Sequence, residues 1–252
     1  MTRKIAIITG ASRGLGKSTA LHLARQGVDI IGTYLNREED AHAVAAQIEA
    51  LGSTARMLKL DVGNSDSFET FSDQVSNLLG EVFKVEHFDY LVNNAGIGLY
   101  ASCADTTTEQ FDQLMNLHFK GPFFLTQRLL PLIAEGGRIV NLSSGLARFS
   151  PLGYAAYASM KGAVEVWTRY LANELGPRGI TVNVIAPGAI ETDFGGGSVR
   201  DNADVNAWVA ANTAMGRAGQ PDDIGAAIAM LLGDGGRWIT AQRIEVSGGM
   251  FV

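Results

Sequence analysis

Tyr157 and Lys161 stand four residues apart in Tyr157-Ala158-Ser159-Met160-Lys161, a spacing that puts both side chains on one face of a helix. A phenol ordinarily titrates near ~10 and carries protons poorly at neutral pH. A neighbouring ammonium favours the phenolate, and each pKa unit of lowering corresponds to about 1.4 kcal/mol. Such a pair transfers protons, although an isolated Tyr/Lys pair at this spacing is a common helical coincidence. Its surroundings give it meaning. Ser144 closes the apolar stretch Gly137–Leu142 thirteen residues earlier, Asn93-Asn94-Ala95-Gly96 closes another, and Pro187-Gly188 closes a third with Thr192 just beyond.

A second constellation lies near the start. A short apolar run leads into Thr9-Gly10-Ala11-Ser12-Arg13-Gly14-Leu15-Gly16 and then a helical pattern. Glycines allow a tight turn and close approach of a ligand, and the helix opens with free N–H groups that stabilise a pyrophosphate. Gly10, Ser12, Arg13, Gly14, Leu15 and Gly16 are therefore expected to contact a nucleotide. The second strand ends Gly32-Thr33-Tyr34-Leu35-Asn36-Arg37 with no acid before Glu38, where a site for NAD usually has a carboxylate for the ribose hydroxyls. Asn36 stands at that position, and Arg13 and Arg37 are available to attract a 2′-phosphate. NADP(H) is favoured and NAD(H) remains open.

The elements that must position these groups are legible as an alternation. Lys4–Thr9, Val28–Tyr34, Ala55–Leu60, Tyr90–Asn93, Gly137–Leu142, Thr181–Ala186 and Arg243–Val246 read as strands, most of them nearly continuous in apolar residues, as strands covered on both faces are. Gly14–Gln26, Glu38–Leu51, Ser65–Leu79, Glu109–Ala134, Ala155–Leu175 and Pro221–Leu232 read as helices. The expectation is one α/β domain, residues 1–252, built on a doubly wound parallel sheet of about seven strands with helices on both faces. Residues 188–219, with Gly195-Gly196-Gly197, have no firm assignment and suit a flexible substrate loop.

In this order the motifs resemble those of the short-chain dehydrogenase/reductases, whose domain is a Rossmann fold. The resemblance covers essentially the whole chain and rests on Thr9-Gly10-x-x-x-Gly14-x-Gly16, Asp61-Val62, Asn93-Asn94-Ala95-Gly96, Asn116, Ser144, Tyr157-x-x-x-Lys161 and Pro187-Gly188. It implies that Tyr157 is the general acid in carbonyl reduction and the base in alcohol oxidation. Lys161 would lower the tyrosine pKa and bind the nicotinamide ribose, Ser144 would hold the substrate oxygen, and Asn116 would anchor a water relaying protons to Lys161. Ser144 is preferred to Ser143, which suits a structural role. Asp61 and Val62 would contact adenine, and Asn93, Ala95 and Gly96 would floor the groove. Pro187, Gly188, Ile190 and Thr192 would flank the nicotinamide, the last two binding its carboxamide.

The stretches expected to line the substrate pocket offer Ile97, Leu99, Tyr100, Leu146, Phe149, Tyr154, Ala189 and Phe194 beside Ser144, a largely apolar set. A ketone or aldehyde with a hydrophobic substituent, or the corresponding alcohol, is the expected substrate. A 3-oxoacyl-carrier-protein reductase, which would need a basic docking patch such as Lys120, Arg128, Arg148 and Arg169 could supply, is the alternative within this chemistry. An NAD(H)-dependent alcohol or polyol dehydrogenase and a dinucleotide-binding sensor without turnover are the others.

Composition bounds the rest. Twenty Lys+Arg against 26 Asp+Glu leave a net charge of −6, which argues against general nucleic-acid binding. The single cysteine, Cys103, excludes an intramolecular disulfide and a thiolate cluster. His22, His42, His87 and His118 match no metal spacing, so no metal is expected. The longest apolar run, Ala226–Leu232, is far short of a bilayer span. Only Ile5–Thr9 separates the charged start from a glycine, so no secretory signal is expected and a cytoplasmic location is. The helix Ala155–Leu175 is apolar around much of its circumference, with Ser159, Gly162 and Ala163 allowing close approach. A homotetramer is the expected assembly.

Overall fold

The computed structural model describes residues 3–252. Period-two alternation explains how each strand holds two layers together, since successive side chains leave a strand on opposite faces. In β1 (Ile5–Ile8), Ile5 and Ile7 join a core with Phe68, Phe71, Phe88 and Leu171. Ala6 and Ile8 join a second core with Leu23, Val44, Ile48, Ile224 and Ile228 on the other face.

Seven parallel strands form one sheet in the order β3-β2-β1-β4-β5-β6-β7. The others are β2 (Asp29–Tyr34), β3 (Ala55–Lys59), β4 (Phe88–Asn93), β5 (Ile133–Leu142), β6 (Thr181–Pro187) and β7 (Arg243–Val246). The helices α1 (Gly14–Arg25), α2 (Glu38–Ala50) and α9 (Pro221–Leu232) supply the second core. The first is covered by α3 (Phe68–Leu78), α5 (Gly121–Leu129) and α6 (Ala155–Leu175). The winding direction reverses between β1 and β4, so their carboxyl ends open a crevice, the place where such sheets hold ligands. The expected doubly wound sheet, its strand number and its helices on both faces are all present.

Two expectations are corrected. The single helix expected over Glu109–Ala134 is broken into α4 (Thr108–Met115), a π turn over Asn116–Lys120, α5 and a 3₁₀ turn over Leu130–Leu132, and Ala134 lies in β5. Proline explains much of this: Pro122 has no N–H to continue the ladder, and Pro131 sits in the closing turn. Residues 188–219 are also more ordered than their glycines suggest. They hold α7 (Ser198–Asp201) and α8 (Ala203–Ala211), the latter capped by Asn202 Oδ1, which accepts from the Asp204 and Val205 N–H groups. Gly195, Gly196 and Gly197 all take positive φ, 61°, 74° and 78°, so the triplet is a left-handed turn entering α7. The excursion is strapped at its base by an Ile190–Gly219 bridge.

Candidate active site

The glycine turn closes β1 and opens α1. A Cβ at Gly16 would collide with the Gly10 carbonyl and with Asn94 Nδ2, and Gly14 has φ 54°. Asn94 clamps the turn, its Nδ2 donating to the Thr9 carbonyl at 2.8 Å and the Gly10 carbonyl at 3.2 Å, while its N–H donates to Thr9 Oγ1 at 2.9 Å. The start of α1 carries no side-chain cap and no acid in its first turn. By contrast α2 opens on Glu38, Glu39 and Asp40, and α4 and α9 carry capping boxes. The α1 N–H groups beside Ser12, Gly14 and Leu15 are thus left for an anion.

Arg13 and Arg37 meet on one carboxylate. Asp193 Oδ2 lies 2.6 Å from Arg13 Nη1 and 4.0 Å from Arg37 Nη2, and Asp193 Oδ1 is 2.5 Å from Arg200 Nη1. Arg200 and then Arg13 hold the Asp193 carboxyl down at about 2. An anion therefore fits between the two arginines, where the chain's own Asp193 now stands. Asn36 is exposed beside them.

At the centre of the edge, Tyr157 and Lys161 are buried, 6% and 5% exposed. Lys161 Nζ donates to the Leu142 carbonyl at 2.8 Å and lies 5.5 Å from the centroid of the Tyr157 ring. The i,i+4 spacing on α6 brings them together as expected. Burial pushes Tyr157 well above its ordinary value, with the Ser144 hydroxyl opposing, and burial lowers Lys161 to about 7. Desolvation disfavours the charged form of each.

Ser144 begins the turn after β5, and its Oγ accepts the Leu146 N–H at 3.2 Å. Ser143 is structural as expected, donating to Glu165 at 2.6 Å. The carbonyl of Asn116, in the π turn, accepts the Gly121 N–H. Asp61 accepts the Gly63 N–H at 2.8 Å, a turn role, and Val62 is buried. Asn93 departs from expectation: its side chain points into the protein, Nδ2 donating to Thr126 Oγ1 at 3.0 Å and Asn141 Oδ1 at 2.8 Å, because β4 is covered on both faces. Ala95 and Gly96 remain on the crevice side, the Ala95 N–H held by Thr9 Oγ1 at 3.0 Å.

Pro187 ends β6, and the N–H of Gly188, the next residue, pairs with the Val246 carbonyl. Thr192 reaches across to Gly14, and Ile190 is pinned to Gly219. Thus Thr192 overhangs the glycine turn.

Apolar groups stand over Tyr157. The Phe194 ring centroid is 5.8 Å from that of Tyr157, and Ile97, Leu99 and Leu146 pack in the same cluster. Tyr154 stacks edge-on with Tyr100 at 5.5 Å, and Ala189 is half-buried at the base of the excursion. Phe149 is instead drawn to Phe251, 4.9 Å away, beside Trp208. Arg148 is engaged too: it grips Glu245 through two 2.8 Å hydrogen bonds and donates to the Met250 carbonyl. It is not free for a carrier-docking patch.

Sequence reading named Asn94 within its motif without its clamp on the glycine turn, and missed the places of His118 and Asp193. His118 is 2% exposed, its ring edge-on to Tyr157 at 5.1 Å. Its signal was a lone histidine between apolar Leu117 and Phe119, which is normally unremarkable. Among the described residues no group of three His, Cys, Asp or Glu is placed to share a metal, and no helix is long and apolar enough to cross a membrane.

The pattern of the family described as enoyl-(acyl carrier protein) reductase matches residues 10–251. Versicolorin reductase stcU of Emericella nidulans is 33% identical over 261 residues, covering 98% of this chain and 96% of the relative. The promiscuous reductase LugOII, which catalyses keto-reduction at C1 during lugdunomycin biosynthesis, superposes with a TM-score of 0.94 at 36% identity, covering 100% and 99% of the two chains. The angucycline C-6 ketoreductase LanV, solved with bound NADP, superposes with a TM-score of 0.93 at 33% identity, covering 98% and 95%.

Proposed function

The chain belongs to the short-chain dehydrogenase/reductase family, and on that premise we propose that it is an NADPH-dependent reductase of ketones carried on hydrophobic, ring-bearing molecules. The observation that carries this reading is the buried Tyr157–Lys161 pair beneath Phe194, Ile97, Leu99 and Leu146. The names of stcU, LugOII and LanV support it. For the dinucleotide's phosphates and ribose, the glycine turn, Arg13, Arg37 and Lys161 fit best. The meeting of both arginines on Asp193 supports NADP(H) over NAD(H). When bound, that cofactor supplies the hydride.

The chain's own residues do the rest. Ser144 Oγ orients the carbonyl oxygen, and the neutral Tyr157 O–H donates the proton that the reduced oxygen requires. Burial helps, since a phenol held above its ordinary pKa stays protonated throughout the neutral range. Lys161, charged, stabilises the phenolate left behind, and the apolar wall keeps bulk water from competing.

The proposal extends to assembly and place. A groove of about 560 Å³ on the outer faces of α5 and α6, away from the chemistry, is lined by Phe123, Val166, Trp167 and Tyr170. Tyr170 is 68% and Phe124 40% exposed. A second copy of this chain suits that surface, as in a homotetramer, and light scattering at micromolar concentration tests it. A cytoplasmic location accords with the exposed free thiol of Cys103.

A panel of aromatic, polycyclic and aliphatic ketones, followed by loss of reduced-cofactor absorbance, tests the function. Turnover of cyclic aromatic ketones with NADPH well above NADH is expected. No turnover of any ketone would overturn the reading.

A further inference from the structure

The proposed reduction needs Tyr157 and Ser144 on one substrate oxygen, yet the phenol comes from α6 and the hydroxyl from the turn after β5. Their separation has to be held, because a displacement of about 1 Å can cost roughly 10²-fold in rate. Three consecutive residues from the end of β5 are each gripped by one polar side chain. The Leu142 carbonyl accepts from Lys161 Nζ at 2.8 Å, Ser143 Oγ donates to Glu165 Oε1 at 2.6 Å, and the Ser144 carbonyl accepts from Arg243 Nη2 at 3.3 Å.

These grips are joined to one another. Glu165 follows Lys161 by the same interval at which Lys161 follows Tyr157, so one stripe of α6 carries all three. Glu165 Oε1 also accepts from Arg243 Nε at 2.7 Å, and Arg243 Nη1 donates to Glu245 Oε2 at 2.9 Å. Glu245 is held in turn by Arg148, whose Nε and Nη2 each donate to it at 2.8 Å. Arg148 lies just beyond the Ser144 turn, so the network leaves Ser144, crosses α6 and β7, and returns to the same loop. Two arginines balance two glutamates, and Glu165, Glu245 and Arg243 keep only 16%, 20% and 25% of their side chains in solvent. Ion pairs so placed add little net stability over apolar side chains of similar volume. They do fix directions, since a guanidinium fork bonds along set lines.

We infer that Glu165 and Arg243 are positioning residues, clamping Ser143 and Ser144 so that the Ser144 hydroxyl stays aimed at the oxygen that Tyr157 protonates. The inference rests on the role given to Ser144 above. Arg243 holds the Ser144 carbonyl and Glu165 holds the side chain of the residue before it. The Ser144 Cα carries both the gripped carbonyl and the hydroxyl-bearing Cβ, so holding the first limits the second. Ser144 Oγ accepts only a backbone N–H, that of Leu146 at 3.2 Å, and keeps its own proton to donate. That hydroxyl already bears on the phenol, opposing the rise that burial imposes.

A double-mutant cycle with Ser144 separates this role from a merely structural one. Arg243→Met should lower kcat for ketone reduction roughly 10- to 100-fold, while NADPH affinity stays within about twofold. Ser144→Ala should cost about 10²–10³-fold. In the Ser144→Ala background, Arg243→Met should cost less than about twofold more, because the group it aims is gone. Glu165→Gln keeps an oxygen for Ser143 but offers Arg243 no charge. It should lose about threefold alone and nothing further beside Ser144→Ala. Being nearly isosteric, it carries the test if Arg243→Met does not fold. The same fractional loss with and without the Ser144 hydroxyl, or no loss in either background, overturns the inference. Failure of the wild type to reduce any ketone would instead count against the proposed function.

Discussion

Lys161 is 5% exposed and its titration is set by burial alone, whereas Arg13, Arg37 and Arg200, at the same edge of the sheet, stand about half in solvent around Asp193. In the buried corner, desolvation moves Lys161 and Tyr157 in opposite directions and leaves both able to be neutral near pH 7. At the rim, three exposed cations surround one carboxylate, and salt screens each contact. The difference separates two tasks. Proton transfer needs a dry, fixed geometry that sets pKa values; recognition of a charged ligand needs cations that stay accessible.

Tyr157→Phe strikes the buried corner alone and has the largest expected effect. Turnover should fall by roughly 10²–10⁴-fold, while NADPH affinity, followed by fluorescence titration, stays within about threefold. Equal losses in both would show that the two regions are not separable. Arg13→Ala or Arg37→Ala strikes the rim alone. Each should weaken NADPH about tenfold and leave NADH nearly unchanged, as loss of one charge-assisted contact to phosphate implies. Equal losses for the two cofactors would move the 2′-phosphate elsewhere. The smallest effect belongs to Asp193→Asn, which removes the internal anion. NADPH should bind about two- to threefold tighter at low salt, a gain that fades at high salt because the groups are exposed. Weaker binding would show that Asp193 supports the bound state instead.

These regions also divide what was legible in the sequence. Tyr157, Lys161 and the Gly10–Gly16 turn could be read because each is a local pattern, fixed by helical spacing or by one strand-to-helix connection. The sheet could be read because β-branched runs alternate with amphipathic stretches. Asp193 could not, since it lies 180 residues from Arg13 and no local signal joins them. The same holds for the Arg148–Glu245 pair, 97 residues apart, which withdrew an arginine once offered to a carrier. His118 was invisible because its contact with Tyr157 joins the π turn to α6, 39 residues along the chain. Pro122 and Pro131 were visible signals that should have broken the long helix, but the apolar periodicity across them was the stronger pattern.

The account depends most on burial having brought Lys161 to about 7. Reduction needs this group charged, and its folded pKa lies below the ordinary value, so charge and rate are lost as pH rises through that value. The direct measurement is kcat/KM for the ketone at saturating NADPH, which reports the groups of the enzyme form that meets the ketone, from about pH 5 to about pH 10. The prediction is a falling limb with a midpoint near 7 in the wild type that disappears in Lys161→Met. A wild-type profile that stays level to about pH 9, near the ordinary lysine range, would contradict it.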